Sequence, residues 1–201
     1  MSPGADARVT GLVLAAGGSR RLGQPKQLLP YGGTTLLDHA LETARACAFD
    51  QLLCVLGGGA EAIRETVDLR GFDVVENREF GSGCSSSIAA ALGAVDPRSE
   101  VLVLLLGDQP GVTPATVAAL LDGRGEARLA ACLYDNGRGH PLAFGRSVFA
   151  QLATLHGDKG VWKLLDRRAD EVVDVAVGTR IPLDVDTWED YRAVLGEGDV
   201  A

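Results

Sequence analysis

Short apolar runs that close in glycine or acidic residues recur along the chain, and this pattern is typical of buried strands. Residues 100–106 form the most apolar of these runs and end abruptly in the sequence GDQP. A continuous apolar strand of this kind belongs in the middle of a parallel sheet that is covered on both faces. The predicted strands cover residues 9–15, 51–56, 72–76, 100–106, 127–134, 171–177 and 182–185, with another after Pro141.

Segments with apolar residues at helical spacing lie between these runs and predict amphipathic helices. Thr113 followed by Pro114 is a typical helix start, and Asp186 or Thr187 could cap the final helix. The predicted helices cover residues 35–48, 60–68, 84–94, 147–155 and 160–168, with others starting at Pro114 and near Trp188.

Strands that alternate with helices predict an α/β protein, a three-layer doubly wound fold with a mostly parallel sheet. In such sheets ligands bind beyond the carboxyl ends of the strands. The 201 residues fit one domain, and the pattern contains neither an internal repeat nor a linker. We expect a core at residues 9–196 and frayed tails at residues 1–7 and 197–201.

The composition of the chain disfavours several classes of binding partner. The formal net charge of −8 disfavours nucleic acid and acidic membranes, because no basic stripe offsets it. The four cysteines form no C-x-x-C pair, which argues against a zinc knuckle and fits a reducing cytosol. The first residues lack the apolar core of a signal peptide, and no run is long enough to span a membrane. A cytoplasmic protein is expected.

The stretch LVLAAGGSRRLGQPK at residues 12–26 places a glycine-rich loop after the first strand. Glycines let backbone amides approach phosphate oxygens, while Arg21 and Lys26 add positive charge. The spacing matches neither the dinucleotide fingerprint nor the P-loop. A tight turn with solvated basic side chains is the alternative explanation.

Carboxylates follow two of the predicted strands and suggest a metal site. Asp108 follows the most apolar strand, where a carboxylate could hold Mg²⁺ against phosphates, or could merely cap its own turn. Asp184 and Asp186 alternate along an extended segment, so both would point to one side. Asp186 could instead be a helix cap.

Two further stretches are weaker candidates. The stretch NREFGSGCSSSI at residues 77–88 contains Asn77 and several serines, whose amide and hydroxyl groups could bind a base edge or a phosphate. A serine-rich helix start explains the pattern equally well. GRGHPLAFG predicts a sharp turn at Gly139-His140-Pro141 that leads into a strand. His140 could contact a substrate, or could be a surface or packing residue.

Taken together, these stretches resemble the nucleotidyltransferases that act on the molybdenum cofactor, over about residues 9–196. The first motif of that family is matched by Leu14, Ala15, Ala16, Gly17, Ser19, Arg21, Leu22, Gly23, Pro25 and Lys26. The sequences GDQP, GHP, GDKG and DVDTWED follow in the family order and are most similar to the cytidylyltransferase branch. Leu22, Cys84 and Trp188 depart from the residues usual there, and Cys84 touches the loop that would read the base.

The resemblance implies a Rossmann-like nucleotidyltransferase fold and a Mg²⁺-dependent transfer of CMP from CTP to the phosphate of a pterin cofactor. Arg21, Lys26 and Asp108 would be catalytic, and Asp108 with Asp184 or Asp186 would hold the metal. The implied nucleotide contacts are Leu14, Ala15, Ala16, Gly17, Gly18, Ser19, Gly23, Asn77, Ser82, Gly83 and Ser86. The implied contacts with the second substrate are Gln109, Gly139, His140 and Pro141.

The partners implied are CTP or GTP, the phosphorylated pterin, and the molybdoenzyme or chaperone that receives it. One alternative is transfer to another phosphorylated acceptor, such as a sugar 1-phosphate or phospholactate. Another is a catalytically silent protein that binds nucleotide as a regulator or cofactor chaperone. A Rossmann dehydrogenase is disfavoured because the fingerprint spacing of glycines is absent.

Overall fold

The computed structural model describes residues 7–198, which form a seven-stranded sheet with helices on both faces. The first half contains β1 (Arg8–Ala15), β2 (Pro30–Tyr31), β3 (Thr34–Thr35), α1 (Leu36–Arg45), β4 (Gln51–Leu56), α2 (Ala60–Thr66), β5 (Asp73–Glu76) and α3 (Cys84–Leu92). The second half contains β6 (Ser99–Leu106), α4 (Pro114–Arg124), β7 (Leu129–Tyr134), β8 (Gly137–Gly145), α5 (Phe149–Leu152), α6 (Gly160–Arg167), β9 (Val172–Ala176) and α7 (Trp188–Gly198).

The strands of the main sheet lie in the order β5-β4-β1-β6-β8-β7-β9. All neighbouring strands pair in parallel except β8, which is antiparallel to both β6 and β7. The predicted three-layer α/β fold with a mostly parallel sheet is confirmed.

The order of the strands reverses between β1 and β6. From β1 the chain moves outward through β4 to β5, and α3 then carries it back to β6 on the other side of β1. Ala15 pairs with Leu56 and Leu14 with Leu106, so these strands end at the same edge of the sheet. Ligands of open α/β sheets bind at such a switch point.

Side chains of the central strands alternate between two cores, as the pleat of a strand requires. Val13 and Ala15 face the core beneath α1, α2 and α4, whereas Leu12 and Leu14 face the core beneath α3, α5 and α6. A third, smaller cluster joins α7 to the segment after β1 and contains Leu22, Leu29, Leu36, Val185 and Val194. This small cluster holds the end of the chain beside the first loop.

Three local features differ from the sequence predictions. Residues 139–141 lie inside β8, so the predicted sharp turn is wrong: the turn is Asp135-Asn136, between β7 and β8. Residues 182–185 form no strand, because Pro182 lacks the amide hydrogen that a strand donates to its neighbour. Val185 N instead donates a single hydrogen bond to Asp108 O, at 3.1 Å. The hairpin of β2 and β3 was not predicted.

Within residues 7–198, no helix combines the length and apolar character needed to cross a membrane. Most residues of the predicted frayed tails lie outside the described part of the chain. Residues 197 and 198 belong to α7. The four cysteines, Cys47, Cys54, Cys84 and Cys132, are all free thiols.

Candidate active site

The glycine-rich loop after β1 turns back on itself and brings Lys26 under the end of the strand. Ser19 lies at φ 47° and Gly23 at φ 71°, both in the left-handed region that tight turns use. The Lys26 backbone N–H donates to Ser19 Oγ at 2.9 Å, which closes the loop. Lys26 then begins a short 3-10 helix, residues Lys26–Leu28.

The side chain of Gln27 holds this loop in place by hydrogen bonds, a role that was not predicted from the sequence. Its Nε2 donates to the carbonyl oxygens of Ala15 at 2.6 Å and Gly17 at 3.1 Å, and the residue is only 1% exposed. Carbonyls committed to Gln27 cannot turn toward an incoming anion. Its place directly after the predicted Lys26 is the signal that could have drawn attention to it.

Lys26 lies at the centre of an ionic cluster that joins three segments of the chain. Its Nζ contacts Asp108 and lies 2.7 Å from Asp186 Oδ1. The other carboxylate oxygen of Asp186 accepts a hydrogen bond from Arg21 Nη2 at 2.6 Å. The structure therefore brings together four of the residues predicted from sequence, two cations and two carboxylates.

Asp186 is available for this cluster because its neighbour caps the last helix. Asp190 N donates to Thr187 Oγ1 at 3.2 Å, and Asp190 Oδ2 accepts hydrogen bonds from the backbone of Asp186 and Thr187. This reciprocal arrangement is a capping box. Of the two caps that the sequence allowed, Thr187 is the one used, which leaves the side chain of Asp186 to bind cations.

Electrostatics within the cluster follow from burial and close pairing. Burial acts to lower the pKa of Lys26, but the carboxylates of Asp108 and Asp186 outweigh it and hold that pKa above its ordinary value. Burial raises the pKa of Asp108 against the opposing effect of Lys26. Burial also acts to raise the pKa of Asp186, but Lys26 and Arg21 hold it below its ordinary value. An ammonium in contact with both carboxylates is the geometry of an ionised cluster.

A cavity of about 550 Å³ opens above this cluster, at the carboxyl ends of β1 and β6. Among the predicted site residues, it is lined by Leu14, Ala15, Ala16, Gly17, Gly18, Lys26, Gly83, Asp108, Gln109, Gly139, His140, Asp184 and Asp186. An adjoining cavity of about 310 Å³ is lined by Ser19 and Arg21 and shares Lys26 and Asp186 with the first. Most of the predicted residues thus meet at the switch point of the sheet, while their roles stay predictions.

Five predicted residues lie elsewhere. Asn77, Ser82 and Ser86 line a separate cavity of about 530 Å³. Asn77 is buried there, and its Nδ2 donates to Ser86 Oγ at 2.8 Å and Ser87 Oγ at 3.0 Å. These contacts tie the end of β5 to the start of α3. Gly23 and Pro141 line neither of the two joined cavities.

The far wall of the main cavity is aromatic. The rings of His140 and Trp162 meet edge to face with centroids 5.3 Å apart, and the Tyr134 hydroxyl donates to the His140 carbonyl oxygen at 2.5 Å. Burial lowers the pKa of His140 to about 4, so the imidazole is neutral near pH 7. A neutral ring pair of this kind suits a flat ligand better than a phosphate.

Phe80 and Asp158 also line both cavities and were not among the predicted site residues. Asp158 Oδ1 accepts a hydrogen bond from Cys84 N at 3.1 Å, which joins the loop before α3 to the loop before α6. Gly83 must be glycine here, because a methyl group on it would lie 2.7 Å from the Gly157 backbone. The sequence GDKG marks Asp158, but no local pattern distinguishes Phe80 from a core residue.

Within the described residues, no three His, Cys, Asp or Glu side chains converge closely enough to hold a metal ion alone. Mg²⁺ does not need three such side chains, because it usually takes one or two carboxylates and completes its shell with waters and substrate phosphates. Asp108 and Asp186 direct two carboxylates to one point, and the charge of Asp184 also acts on Asp108. These donors fit a magnesium ion that arrives with a nucleotide.

Several known proteins are similar to this chain over almost its whole length. Nicotine blue oxidoreductase of Paenarthrobacter nicotinovorans is 36% identical over 198 residues, covering 93% of this chain and 96% of that protein. The Rv0371c homologue of Mycobacterium sp. strain JC1 is 52% identical, with a TM-score of 0.89 over 96% of this chain and 97% of that chain. Rv0371c of Mycobacterium tuberculosis H37Rv, in complex with manganese, is 47% identical, with a TM-score of 0.84 over 94% and 99%.

A family model described as the MobA-like NTP transferase domain matches residues 11–172, which include most of β1, the whole of β6 and the loops that follow them. The glycine-rich loop, Lys26 and Asp108 all lie inside that match. The chain therefore belongs to the MobA-like NTP transferase family and is a nucleotidyltransferase.

Proposed function

We propose that this chain is a one-domain enzyme that transfers CMP from CTP to the phosphate of the molybdopterin cofactor and releases pyrophosphate. The observation that carries the proposal is the position of Lys26, held between Asp108 and Asp186 at the ends of β1 and β6. A cation and two carboxylates beside a glycine-rich loop suit a reaction between two phosphates. Such transfer depends on positioning and charge neutralisation, with little covalent work by the protein.

In the proposed reaction, a phosphate oxygen of the acceptor attacks the α-phosphorus of CTP. The bond from that phosphorus to the α–β bridging oxygen breaks, and both electrons leave with pyrophosphate. Lys26 and Arg21 exchange part of their contact with Asp186 for phosphate oxygens, so their charges follow the developing negative charge. No serine or cysteine nucleophile is needed.

A divalent cation supplies further neutralisation of phosphate charge when it is bound. Asp108 would hold it together with Asp184 or Asp186. The manganese complex of Rv0371c, 47% identical to this chain, supports dependence on a divalent metal. We propose Mg²⁺ as that metal, since oxygen ligands and phosphates are what it binds in nucleotide sites.

The choice of CTP and of a pterin rests on the motifs of the cytidylyltransferase branch and on the aromatic wall. His140 and Trp162 offer a flat, uncharged surface to the second substrate. Gln109 lines the same cavity, and within the described residues its buried Oε1 has no hydrogen-bond partner. We further propose that the product passes to a molybdoenzyme or its chaperone in the cytoplasm, where free cysteines are stable.

The test is a panel assay with purified protein, Mg²⁺, CTP or GTP, and three acceptors: the pterin cofactor, a sugar 1-phosphate and phospholactate. We expect pyrophosphate release with CTP and the pterin at a rate at least about tenfold above every other pair. Faster turnover with another pair would reassign the substrates. Binding of CTP without pyrophosphate release from any pair would support the catalytically silent alternative.

A second candidate function comes from nicotine blue oxidoreductase, which is 36% identical over almost the whole chain. The name of that protein indicates redox chemistry on nicotine blue, and the wall of His140 and Trp162 would also suit a flat substrate. Oxidation of NADH or NADPH in the presence of nicotine blue, followed at 340 nm, separates the two functions. Reductase turnover with no pyrophosphate release would favour this candidate.

A further inference from the structure

Phe80 packs directly against the glycine-rich loop, and three glycines make this packing possible. A methyl group on Gly57 would lie 2.7 Å from Phe80 Cβ. On Gly18 or Gly58 it would lie 3.1 Å or 3.2 Å from Phe80 Cε2. The loops after β1 and β4 can therefore reach this ring only because they lack side chains at these positions.

The same ring lines both of the joined cavities, so one part of it faces protein and another faces open space. Phe80 is half-buried and packs on the apolar cluster beneath α3, α5 and α6. A ring held on one side and open on the other is a rigid apolar surface. The part of the ring that lines the cavities is available to a flat group.

The order of the strands places Phe80 on one side of the ionic cluster and the wall of His140 and Trp162 on the other. Phe80 follows β5, Asp108 follows β6, and His140 lies on β8, in a sheet ordered β5-β4-β1-β6-β8. Phosphates held by Lys26 would lie between the two aromatic surfaces. The nucleoside would then extend toward Phe80, and the second substrate would occupy the side of His140.

We infer that Phe80 is the stacking surface for the nucleobase. This inference rests on the proposed nucleotidyltransferase function and adds to it a residue that binds the substrate. Stacking uses the face of the base and tolerates any base, so Phe80 contributes affinity for nucleotides in general. The choice between CTP and GTP falls to polar groups elsewhere in the cavity.

The experiment measures, by calorimetry with Mg²⁺ present, the Kd of CTP, GTP and inorganic tripolyphosphate. It compares the wild type with Phe80→Leu, Phe80→Trp and the control Phe149→Leu, which removes a ring from the same apolar cluster outside both cavities. We expect Phe80→Leu to weaken both nucleotides about tenfold and tripolyphosphate by less than twofold. Phe80→Trp and Phe149→Leu should bind all three ligands like the wild type.

Equal weakening of tripolyphosphate and nucleotides in Phe80→Leu would overturn the inference, because the ring would then act only by shaping the loop. Unchanged nucleotide binding in Phe80→Leu would overturn it as well. In both cases nucleotide binding by the wild type leaves the proposed function standing. A wild-type protein that binds neither CTP nor GTP would overturn the proposed function and the inference together.

Discussion

The ammonium of Lys26 can neutralise either nearby carboxylates or the phosphates of a substrate, but not both at once. In the structure its ammonium neutralises Asp108 and Asp186, whose carboxylates would otherwise repel each other in a poorly solvated site. In the proposed reaction it would neutralise phosphate oxygens, and the carboxylates of Asp108 and Asp186 would then be free to hold a divalent cation. We therefore propose that Lys26 neutralises these carboxylates when substrates are absent.

Lys26→Ala should increase the affinity of the nucleotide-free protein for Mn²⁺ about tenfold or more, because two uncompensated carboxylates attract a cation. The same variant should lose roughly a hundredfold or more in turnover, since the phosphates lose a charge. Mn²⁺ binding can be followed by electron paramagnetic resonance. Lys163→Ala, on the exposed side of α6, is the control for net charge. Mn²⁺ affinity no higher in Lys26→Ala than in the control would contradict this account.

Gln27→Met keeps the volume of the side chain but removes the hydrogen bonds to the carbonyls of Ala15 and Gly17. Freed carbonyls can turn toward the phosphates, so we expect KM for the nucleotide to rise about tenfold while KM for the acceptor stays constant. Steady-state kinetics with each substrate varied in turn measures the difference. Equal changes in both KM values would show that Gln27 supports the fold in general and not the loop.

His140 should make stability depend on pH. Burial holds its pKa at about 4 in the folded protein against 6.5 when unfolded, so the unfolded chain binds the proton first. This contribution is fully present above pH 6.5 and is lost as pH falls toward 4, at a cost of roughly 3 kcal/mol. Urea unfolding at several pH values should show a shallower loss in His140→Gln over that interval. Parallel curves for the two proteins would remove His140 as the cause.

The charged residues Arg21, Lys26 and Asp108 were predictable from sequence, whereas Gln27 and Phe80 were not. Arg21, Lys26 and Asp108 stand at strand ends, where charge has few structural uses. Gln27 and Phe80 act by touching carbonyls and glycines of other segments, and such contacts leave no periodic signal in the sequence.

At the scale of elements, the cap of α7 decides where Asp186 points. The capping box of Thr187 and Asp190 fixes the first turn of the helix, and the bond from Val185 N to Asp108 O anchors the segment before it. These two attachments leave Asp186 between them with its side chain directed at Lys26. Helix capping and the ionic cluster are therefore coupled through three consecutive residues.

Thr187→Ala should destabilise the protein by about 1 kcal/mol and also lower turnover, because losing the cap loosens the segment that carries Asp186. Thr113→Ala is the matched control, since Thr113 caps α4 by accepting a hydrogen bond from Thr116 N, away from the cluster. We expect a similar loss of stability in the control with full turnover. Chemical denaturation and the pyrophosphate assay measure the two effects. Equal turnover in both variants would uncouple the cap from the site.

The apolar pattern of the sequence does not predict that β8 is antiparallel to its neighbours. Apolar runs report burial, which is the same for parallel and antiparallel strands in a covered sheet. Direction depends on the connection, and the two-residue loop Asp135-Asn136 before Gly137 is too short for a crossover. That sequence is a hairpin signal, as is Gly32-Gly33 between β2 and β3, where both glycines have positive φ.

At the scale of the whole molecule, two cations and two carboxylates are brought together at one edge of the sheet in a negatively charged protein. The chain carries a formal net charge of −8, yet Arg21 and Lys26 meet at the one edge where β1 and β6 end together. The topology creates this meeting, because the reversal of strand order brings the loops of two distant segments side by side. We expect the arrangement of charges at the switch point, rather than the net charge of the chain, to determine which ligand is bound.

We propose that nucleotidyl transfer occurs at the cluster of Lys26, Asp108 and Asp186. The most direct test is the rate of pyrophosphate release by Asp108→Asn, compared with the wild type and with Asp122→Asn on the exposed face of α4. We expect Asp108→Asn to lose roughly a hundredfold or more in turnover and to unfold at a similar denaturant concentration, while Asp122→Asn matches the wild type. Turnover of Asp108→Asn within a few-fold of the wild type would contradict this proposal.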